Sequence, residues 1–253
     1  MKTNPFSLNP PNLWAMFADT HREALEKLVS LLEKGGVAVV EGPLGIGKTT
    51  LLERVSREIY KGLDKYRVPV VVKHLPCSLV RDEQMLMKML LDSLLLDSSG
   101  ETHVLISRLR DLSAKMRVVA MLDDLPPKKE LAETARNLSD IHGFSVVMAG
   151  VPPSIRKLLS LSPSLRSRVE RRIKLRRLTV REASDLLNKR AKQIGATVPE
   201  REVKRIWRAG KGIAREILKE ASRRFEEGKL RLIPSTKRSK TSKMSKRSKT
   251  RAR

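Results

Sequence analysis

A glycine-rich segment has the residue types and the spacing of a phosphate-binding loop. It follows the pattern G-x-x-x-x-G-K-[ST] without a gap, and Thr50 comes next, so that the segment comprises Gly42, Pro43, Leu44, Gly45, Ile46, Gly47, Lys48, Thr49 and Thr50. Glycines let backbone amides converge on phosphate oxygens, and the helix that follows directs its positive end at them. Lys48 is placed to reach the β- and γ-phosphates, and the Thr49 hydroxyl can ligate Mg²⁺. The pattern predicts that the chain binds ATP with Mg²⁺.

Two adjacent acids complete this chemistry. Asp123 and Asp124 directly follow the apolar run 118–122, which reads as a buried strand. A carboxylate at Asp123 can hold Mg²⁺ through water, and Asp124 is placed to polarise an attacking water molecule. The alternative is that the two acids only cap a strand end above the turn at Pro126 and Pro127.

These residues need a sheet whose strands end at one common edge. Apolar runs at 37–40, 68–72, 118–122 and 144–149 alternate with helical segments. The first helix begins near Thr20, and the others cover 49–60, 85–96, 104–112 and 129–141. Buried apolar strands alternating with helices predict an α/β fold with a parallel, doubly wound sheet.

The pattern changes to helices alone after residue 177. Thr179 and Glu182 have the spacing of a capping box, and apolar faces indicate further helices after Pro199 and around 213–225. Residues 235–253 are almost wholly Lys, Arg, Ser and Thr. We therefore expect a P-loop ATPase α/β domain over 1–177, a small helical lid over 178–232 and a disordered basic tail over 233–253.

Charge is distributed unevenly along the chain. The 253 residues carry a formal net charge of +25, with 20 basic and 19 acidic groups in 1–150, 24 and 9 in 151–234, and nine basic groups in 235–253. A cationic second half favours a polyanionic partner, which we expect to be nucleic acid, chiefly double-stranded DNA bound independently of sequence. The alternatives are a solvated cationic surface and contact with an anionic membrane. The candidate contacts are Arg171, Arg172, Lys174, Arg176, Arg177, Lys237, Arg238, Lys240, Lys243, Lys246 and Arg247.

Composition excludes several classes of protein. Cys77 is the single cysteine, which excludes an intrachain disulfide and a cysteine-rich zinc site. The four histidines are scattered without a ligand spacing. No apolar run has the length of a membrane span, and the start lacks the apolar core of a signal peptide. These observations favour a cytoplasmic protein.

Taken together, the residues resemble the AAA+ ATPases, and within them the branch of archaeal origin-recognition initiators, ExeA-type ATPases and transposition regulators such as TniB and Mu B. The matching stretches are NPF at 4–6, the P-loop, MLDDL at 121–125, MAGVP at 148–152, SLRSRVERRIKLRRLTVREA at 164–183 and GIAR at 212–215. The resemblance implies ATP hydrolysis, ATP-dependent assembly into a homo-oligomer and a role with DNA, such as DNA replication.

The resemblance also implies roles for two arginines. Arg168 falls where these ATPases present an arginine finger to the γ-phosphate of a neighbouring subunit, and Arg166 is its competitor. Arg215 falls at the sensor-2 position, where an arginine of the lid contacts the nucleotide of its own subunit. A guanidinium suits both tasks because it is always charged and can pair with two phosphate oxygens.

Three departures from the family pattern qualify this implication. The usual second acid is Glu, and Asp124 is one methylene shorter. The fourth strand ends in Met148, Ala149 and Gly150, where a polar sensor-1 residue is usual. Both departures favour slow hydrolysis. The archaeal initiators also carry a winged-helix domain after the lid, whereas only the polar residues 235–253 follow here, so we expect that this domain is lacking.

Three functions are compatible with these features. The first is a nucleotide-switched assembly factor that associates with DNA in replication, transposition or the maintenance of a mobile element. The second is a signalling or scaffold ATPase of the STAND type without direct nucleic-acid binding. The third is an NTP-dependent enzyme such as a kinase, for which the sequence offers no substrate-binding motif.

Overall fold

A computed structural model describes residues 4–8, 19–32, 34–62 and 68–234. The basic residues predicted as nucleic-acid contacts at Lys237, Arg238, Lys240, Lys243, Lys246 and Arg247 lie outside the described residues, as does most of the tail predicted as disordered. In the described part, no helix combines the length and the apolar character that crossing a membrane requires.

A parallel sheet forms the centre of the fold. Its strands are β1 (Gly36–Glu41), β2 (Val70–Pro76), β3 (Arg117–Asp123), β4 (Phe144–Gly150) and β5 (Val169–Lys174), and their spatial order is β2-β3-β4-β1-β5. All four pairings are parallel. The strands β1, β3 and β4 are apolar and almost wholly buried, as strands covered on both faces must be. The predicted α/β class is confirmed.

The strand β5 is not among the four strands predicted from the sequence. It reads VERRIK, in which Ile173 is the one buried residue. Such a cationic segment carries no apolar run, but it forms an edge of the sheet and pairs with β1. An edge strand tolerates charged residues because one side of it faces water. The hydrophobic pattern therefore missed it.

Helices cover both faces of the sheet. One face packs against α1 (Asp19–Leu32) and α2 (Lys48–Lys61). The other face packs against α3 (Glu83–Ser93), α4 (Thr102–Ser113), α5 (Lys129–Ser139), α6 (Pro152–Leu161) and α7 (Pro163–Arg168). The sheet is doubly wound, as predicted. Because the strands are parallel, the carboxyl ends of β1, β3 and β4 lie at the same end of the sheet.

A small helical unit follows the sheet. It contains α8 (Val180–Ala191), α9 (Glu200–Ala209) and α10 (Ala214–Glu226), with a two-stranded pair of β6 (Ala196–Thr197) and β7 (Ile233–Pro234) that the sequence did not predict. The predicted capping box is present: Thr179 Oγ1 accepts from the Glu182 amide, and the Glu182 carboxylate accepts from the Thr179 amide. We call this unit the lid.

The core of the lid includes a residue from the start of the chain. Phe6 is fully buried among the lid's apolar side chains and lies edge-to-face on Phe225, with ring centroids 5.9 Å apart. The guanidinium of Arg190, also buried, donates to the carbonyl oxygens of Ser7 at 3.0 Å and Pro5 at 3.4 Å. Burial lowers the pKa of Arg190 to about 10. Residues 4–8 are thus part of the lid.

Candidate functional site

The phosphate-binding loop lies between β1, which ends at Glu41, and α2, which begins at Lys48. Gly45 and Gly47 have φ angles of 76° and 107°, a region that residues with a side chain rarely adopt. A Cβ atom on Gly45 would also lie 2.9 Å from Cβ of Arg215, and one on Gly47 would lie 2.9 Å from Nε2 of His21. The loop therefore needs glycine at both positions for its backbone and for its neighbours.

The Lys48 side chain folds back over the loop. Its Nζ donates to the carbonyl oxygens of Gly42 at 3.2 Å and Pro43 at 3.3 Å. Burial lowers the pKa of Lys48, the charges of Asp124 and Asp123 oppose this effect, and the nearby Arg215 adds to it. A buried ammonium held at the loop is well placed to bind phosphate oxygens.

Asp123, the last residue of β3, is buried beside the loop. Its Oδ2 accepts from Thr49 Oγ1 at 2.6 Å and lies 3.3 Å from His74 Nε2. Burial alone would raise the pKa of Asp123, but these two hydrogen bonds outweigh it, and the pKa is lowered. The Oδ1 atom is buried without a hydrogen-bond partner in the described part of the chain. An ionised carboxylate with a free oxygen, next to a hydroxyl, fits the hard oxygen ligands that Mg²⁺ prefers.

Asp124 is exposed at the mouth of the site. Its φ angle is 55°, and its amide donates to the Ala149 carbonyl at 2.8 Å, which fixes the turn after β3. Partial loss of water and the charge of Asp123 raise the pKa of Asp124, while Lys48 and Arg215 oppose the change. Gly150 supplies no polar side chain here, although a Cβ atom added at this position would lie only 4.0 Å from Asp124 Oδ1.

The lid contacts the loop directly through Arg215. The Arg215 amide donates to the Gly45 carbonyl at 3.0 Å, and the side chain is exposed. Its charge affects the pKa of both Lys48 and Asp124, so it lies within electrostatic reach of the residues that surround the loop. The structure thus brings together the P-loop, Asp123, Asp124 and Arg215.

Arg168 lies away from this site. It ends α7 just before Val169, which pairs with Val37 at the beginning of β1, whereas the loop follows the end of β1. With a rise of about 3.3 Å per residue, the length of β1 separates them by about 15–20 Å. The Arg168 guanidinium donates to Asp140 Oδ1 at 2.6 Å and to the Ser164 carbonyl at 2.9 Å. Its competitor Arg166 is exposed nearby.

The structure separates the basic residues predicted to contact nucleic acid. Arg171, Arg172 and Lys174 are exposed on the edge strand β5. Arg176 instead donates to both oxygens of the Glu182 carboxylate, at 2.7 and 3.1 Å. Arg177 donates weakly to the Lys211 carbonyl, at 3.4 Å.

Glu182 joins the lid to the helix that precedes β1. Its carboxylate accepts from Arg176, from the amide and hydroxyl of Thr179 and from the Thr20 amide. Burial opposes ionisation, but these donors outweigh it and lower the pKa of Glu182 to about 2. The carboxylate is therefore charged at neutral pH and ties α8 to the start of α1.

Sequence reasoning missed two histidines at the site. His74 contacts Asp123, and His21 Nε2 donates to the Ile46 carbonyl at 2.9 Å within the loop. The predicted second strand stopped at residue 72, whereas β2 continues to Pro76, which pairs with Asp123. A longer strand would have placed His74 at the same sheet edge as Asp123. No comparable signal in the sequence identifies His21.

Known proteins agree with this architecture. A family model described as an AAA domain matches residues 22–159, more than half of the chain. A search of curated proteins found no match. Among solved structures, the ORC2 protein of Aeropyrum pernix in ADPNP–ADP complexes is 15% identical with a TM-score of 0.68, and the match covers 85% of this chain. This chain spans 64% of that protein's length.

Two further structures are similar to the same extent. The ORC1 protein of Aeropyrum pernix in complex with DNA is 19% identical with a TM-score of 0.69, over 90% of this chain and 66% of that one. Cdc6p from Pyrobaculum aerophilum is 20% identical with a TM-score of 0.68, over 90% and 67%. At 15–20% identity, structural similarity establishes only the fold, whereas the match to the family model establishes the family. The chain belongs to the AAA domain family and has the fold of the archaeal ORC and Cdc6 proteins, which confirms the resemblance to the AAA+ family and its archaeal initiators drawn from the sequence.

Proposed function

We propose that the chain is an ATP-dependent switch that assembles with copies of itself on DNA, in replication, transposition or the maintenance of a mobile element. The observation that carries the proposal is the contact of the lid with the phosphate loop through Arg215 and Gly45. Because this hydrogen bond joins the lid to the loop at the nucleotide site, a bound nucleotide can bias the position of the lid. Such a bias is what a nucleotide switch requires.

In this proposal each residue at the site has one task. The amides of the loop and Lys48 hold the phosphates, and Arg215 contacts them from the lid. Thr49 and Asp123 would hold Mg²⁺, which supplies positive charge against the phosphate oxygens. Asp124 accepts a proton from the attacking water. Its short side chain, together with Gly150 in place of a polar residue, supports slow hydrolysis and therefore a long-lived ATP state.

A DNA partner is supported by charge. Residues 151–234 carry 24 basic and 9 acidic groups, against 20 and 19 in residues 1–150. Such a surface binds phosphates by releasing counterions, which gives an affinity that is independent of sequence and falls steeply with salt. The ORC1 structure of Aeropyrum pernix holds DNA, which is consistent with this proposal.

Retention on duplex DNA at several salt concentrations tests the proposal. We expect tighter retention with a non-hydrolysable ATP analogue than with ADP, and a steep loss of affinity with salt. Two duplexes of unrelated sequence should behave alike. If the protein were not retained on DNA, or were retained equally with both nucleotides, the proposed DNA switch would be contradicted. A protein that binds nucleotide but is not retained on DNA would instead favour a STAND-type scaffold.

Arg168→Ala tests the proposed assembly. Arg168 lies at the end of the sheet opposite the phosphate loop of its own subunit. Its loss should therefore leave ATP binding by the monomer within about twofold of wild type, while ATP-dependent assembly weakens by about tenfold or more. Light scattering with and without ATP measures assembly, and calorimetry measures binding. Arg166→Ala is the matched control. If that variant weakened assembly instead, Arg166 would take the role, and an equal loss of monomer binding would remove Arg168 from it.

A further inference from the structure

A cleft of about 300 Å³ lies between β5 and α6, next to the phosphate loop. Gly42 and Pro43 of the loop form one wall, Arg156 on α6 forms another, and Arg172 and Lys174 on β5 form a third. Since Ile173 between them is buried in the core on the α1 side, Arg172 and Lys174 face the opposite side, towards α6. The cleft thus combines cations from two elements that the sequence does not place together.

These cations lack strong partners. Neither Arg156 nor Arg172 makes a hydrogen bond or ion pair through its side chain with any residue of the described ranges. Lys174 Nζ lies 3.7 Å from Oε1 of the buried Glu41, the one acid among the described residues that line the cleft. Elsewhere, by contrast, Arg168, Arg176 and Arg223 each bind a carboxylate at 2.6–2.8 Å. Three exposed cations facing one carboxylate leave the cleft positive and open to an anion.

Charge also selects the kind of occupant. A second copy of this chain carries +25 of net charge, and its basic half would be repelled from a positive cleft. A nucleic acid offers phosphates at regular spacing, so that adjacent phosphates can meet Arg156 on one wall and Arg172 on the other. The charge of the cleft therefore favours a nucleic-acid backbone over the basic half of a further subunit.

The loop connects this cleft to the nucleotide. Lys48 Nζ is bonded to the carbonyl oxygens of Gly42 and Pro43, the two loop residues that line the cleft. A nucleotide that draws Lys48 towards its phosphates would weaken these two bonds and thereby change the contacts of Gly42 and Pro43 at the wall of the cleft. Occupancy on the two sides of the loop is then energetically coupled, and such coupling is reciprocal.

We propose that the cleft between β5 and α6 binds the phosphodiester backbone of a nucleic acid and that the phosphate loop couples its occupancy to nucleotide binding. The proposal rests on the DNA-associated function proposed above and assigns the contact to Arg156, Arg172 and Lys174. The proposal does not include Arg176, which is bound to Glu182. It predicts a smaller contribution to nucleic-acid binding from Arg171, which lies on the other face of β5.

The double variant Arg156→Gln/Arg172→Gln tests the contact. The salt slope of duplex binding, log K against log salt, should flatten by about 1.8, since each phosphate contact contributes about 0.9. Affinity at fixed salt should fall about tenfold. Lys157→Gln/Arg201→Gln is the control with the same loss of net charge, and it should stay within about twofold of wild type in affinity. Fluorescence anisotropy with a labelled duplex measures both quantities, and equal melting temperatures establish that the variants fold.

A second comparison tests the face of β5 and the coupling. Arg172→Gln should flatten the slope more than Arg171→Gln does. In the wild-type protein, an ATP analogue should change the affinity for the duplex by the same factor by which the duplex changes the affinity for the analogue. This factor should approach one in the Arg156/Arg172 variant but not in the control.

The possible failures are distinguishable. Wild-type protein without affinity for DNA would overturn both proposals. Wild-type binding with equal losses in variant and control would overturn the cleft alone. If the variant lost binding to inorganic polyphosphate but kept its affinity for DNA, the cleft would be a site for a free polyanion. If it changed ATP-dependent assembly without DNA and kept its DNA affinity, the cleft would be a subunit interface. Either result overturns the assignment.

Discussion

Lys48→Ala is expected to lower the affinity for ATP by about 10²–10³-fold. The substitution removes a desolvated cation from a site built for phosphate oxygens, and truncation of one member of such a charge pair costs about 3–4 kcal/mol. The fold should be unaffected, because the Nζ partners are two loop carbonyls rather than a carboxylate, and burial already lowers the pKa of this lysine. Isothermal calorimetry with ATP and Mg²⁺ measures the loss.

Lys61→Ala is the matched control for this change. Lys61 ends the same helix, with a side chain that is 64% exposed and paired with Glu58 at 3.3 Å. Its loss should leave both ATP affinity and the melting temperature close to those of wild type. If Lys48→Ala bound ATP like wild type, the phosphate site would not be the loop at 42–49.

Asp124→Asn is expected to reduce the rate of ATP hydrolysis by about 10²–10⁴-fold, while ATP affinity stays within a few-fold of wild type. An amide cannot accept the proton of the attacking water, and loss of a general base costs this much. Asn also tolerates the left-handed φ of 55° at this position, so the turn after β3 should persist. A coupled assay measures turnover, and Asp111→Asn, at an exposed acid of α4, is the control.

The pH dependence of hydrolysis gives a second readout for Asp124. A general base acts only when it is deprotonated, so wild-type turnover should fall as pH drops through the raised pKa of Asp124. The variant lacks this group and should show no such step. Unchanged turnover, or the same pH step in both proteins, would exclude Asp124 as the base.

The sequence predicted best where one local signal sufficed. The glycine pattern identifies the loop, and the apolar runs identify β1, β3 and β4, because strands covered on both faces must be apolar throughout. It predicted less where position depends on partners far along the chain. The segment VERRIK forms a strand because it pairs with β1. His74 lies at the site because β2 pairs with β3 as far as Asp123. No local pattern encodes either contact.

The predicted nucleic-acid contacts illustrate the same limit. The sequence places Arg172 and Arg176 in one basic cluster, but the structure gives them different surroundings. Arg176 is bound to Glu182, which needs a cation to remain ionised while buried, whereas Arg172 faces a cleft with Arg156. The strand β5 ends at Lys174, before Arg176, and the buried Glu182 then binds Arg176. Neither feature is visible in the density of charge along the sequence.

The burial of Phe6 inside the lid has a consequence for synthesis on the ribosome. Phe6 leaves the exit tunnel long before its ring partner Phe225, which is made about 220 residues later. At about 5–20 residues per second, the segment stays without its partner for about 10–40 s. The P-loop sheet can fold during this interval, since its strands end at Lys174. The core of the lid can therefore form only after residue 225 has been made, when Phe6 can pack against Phe225.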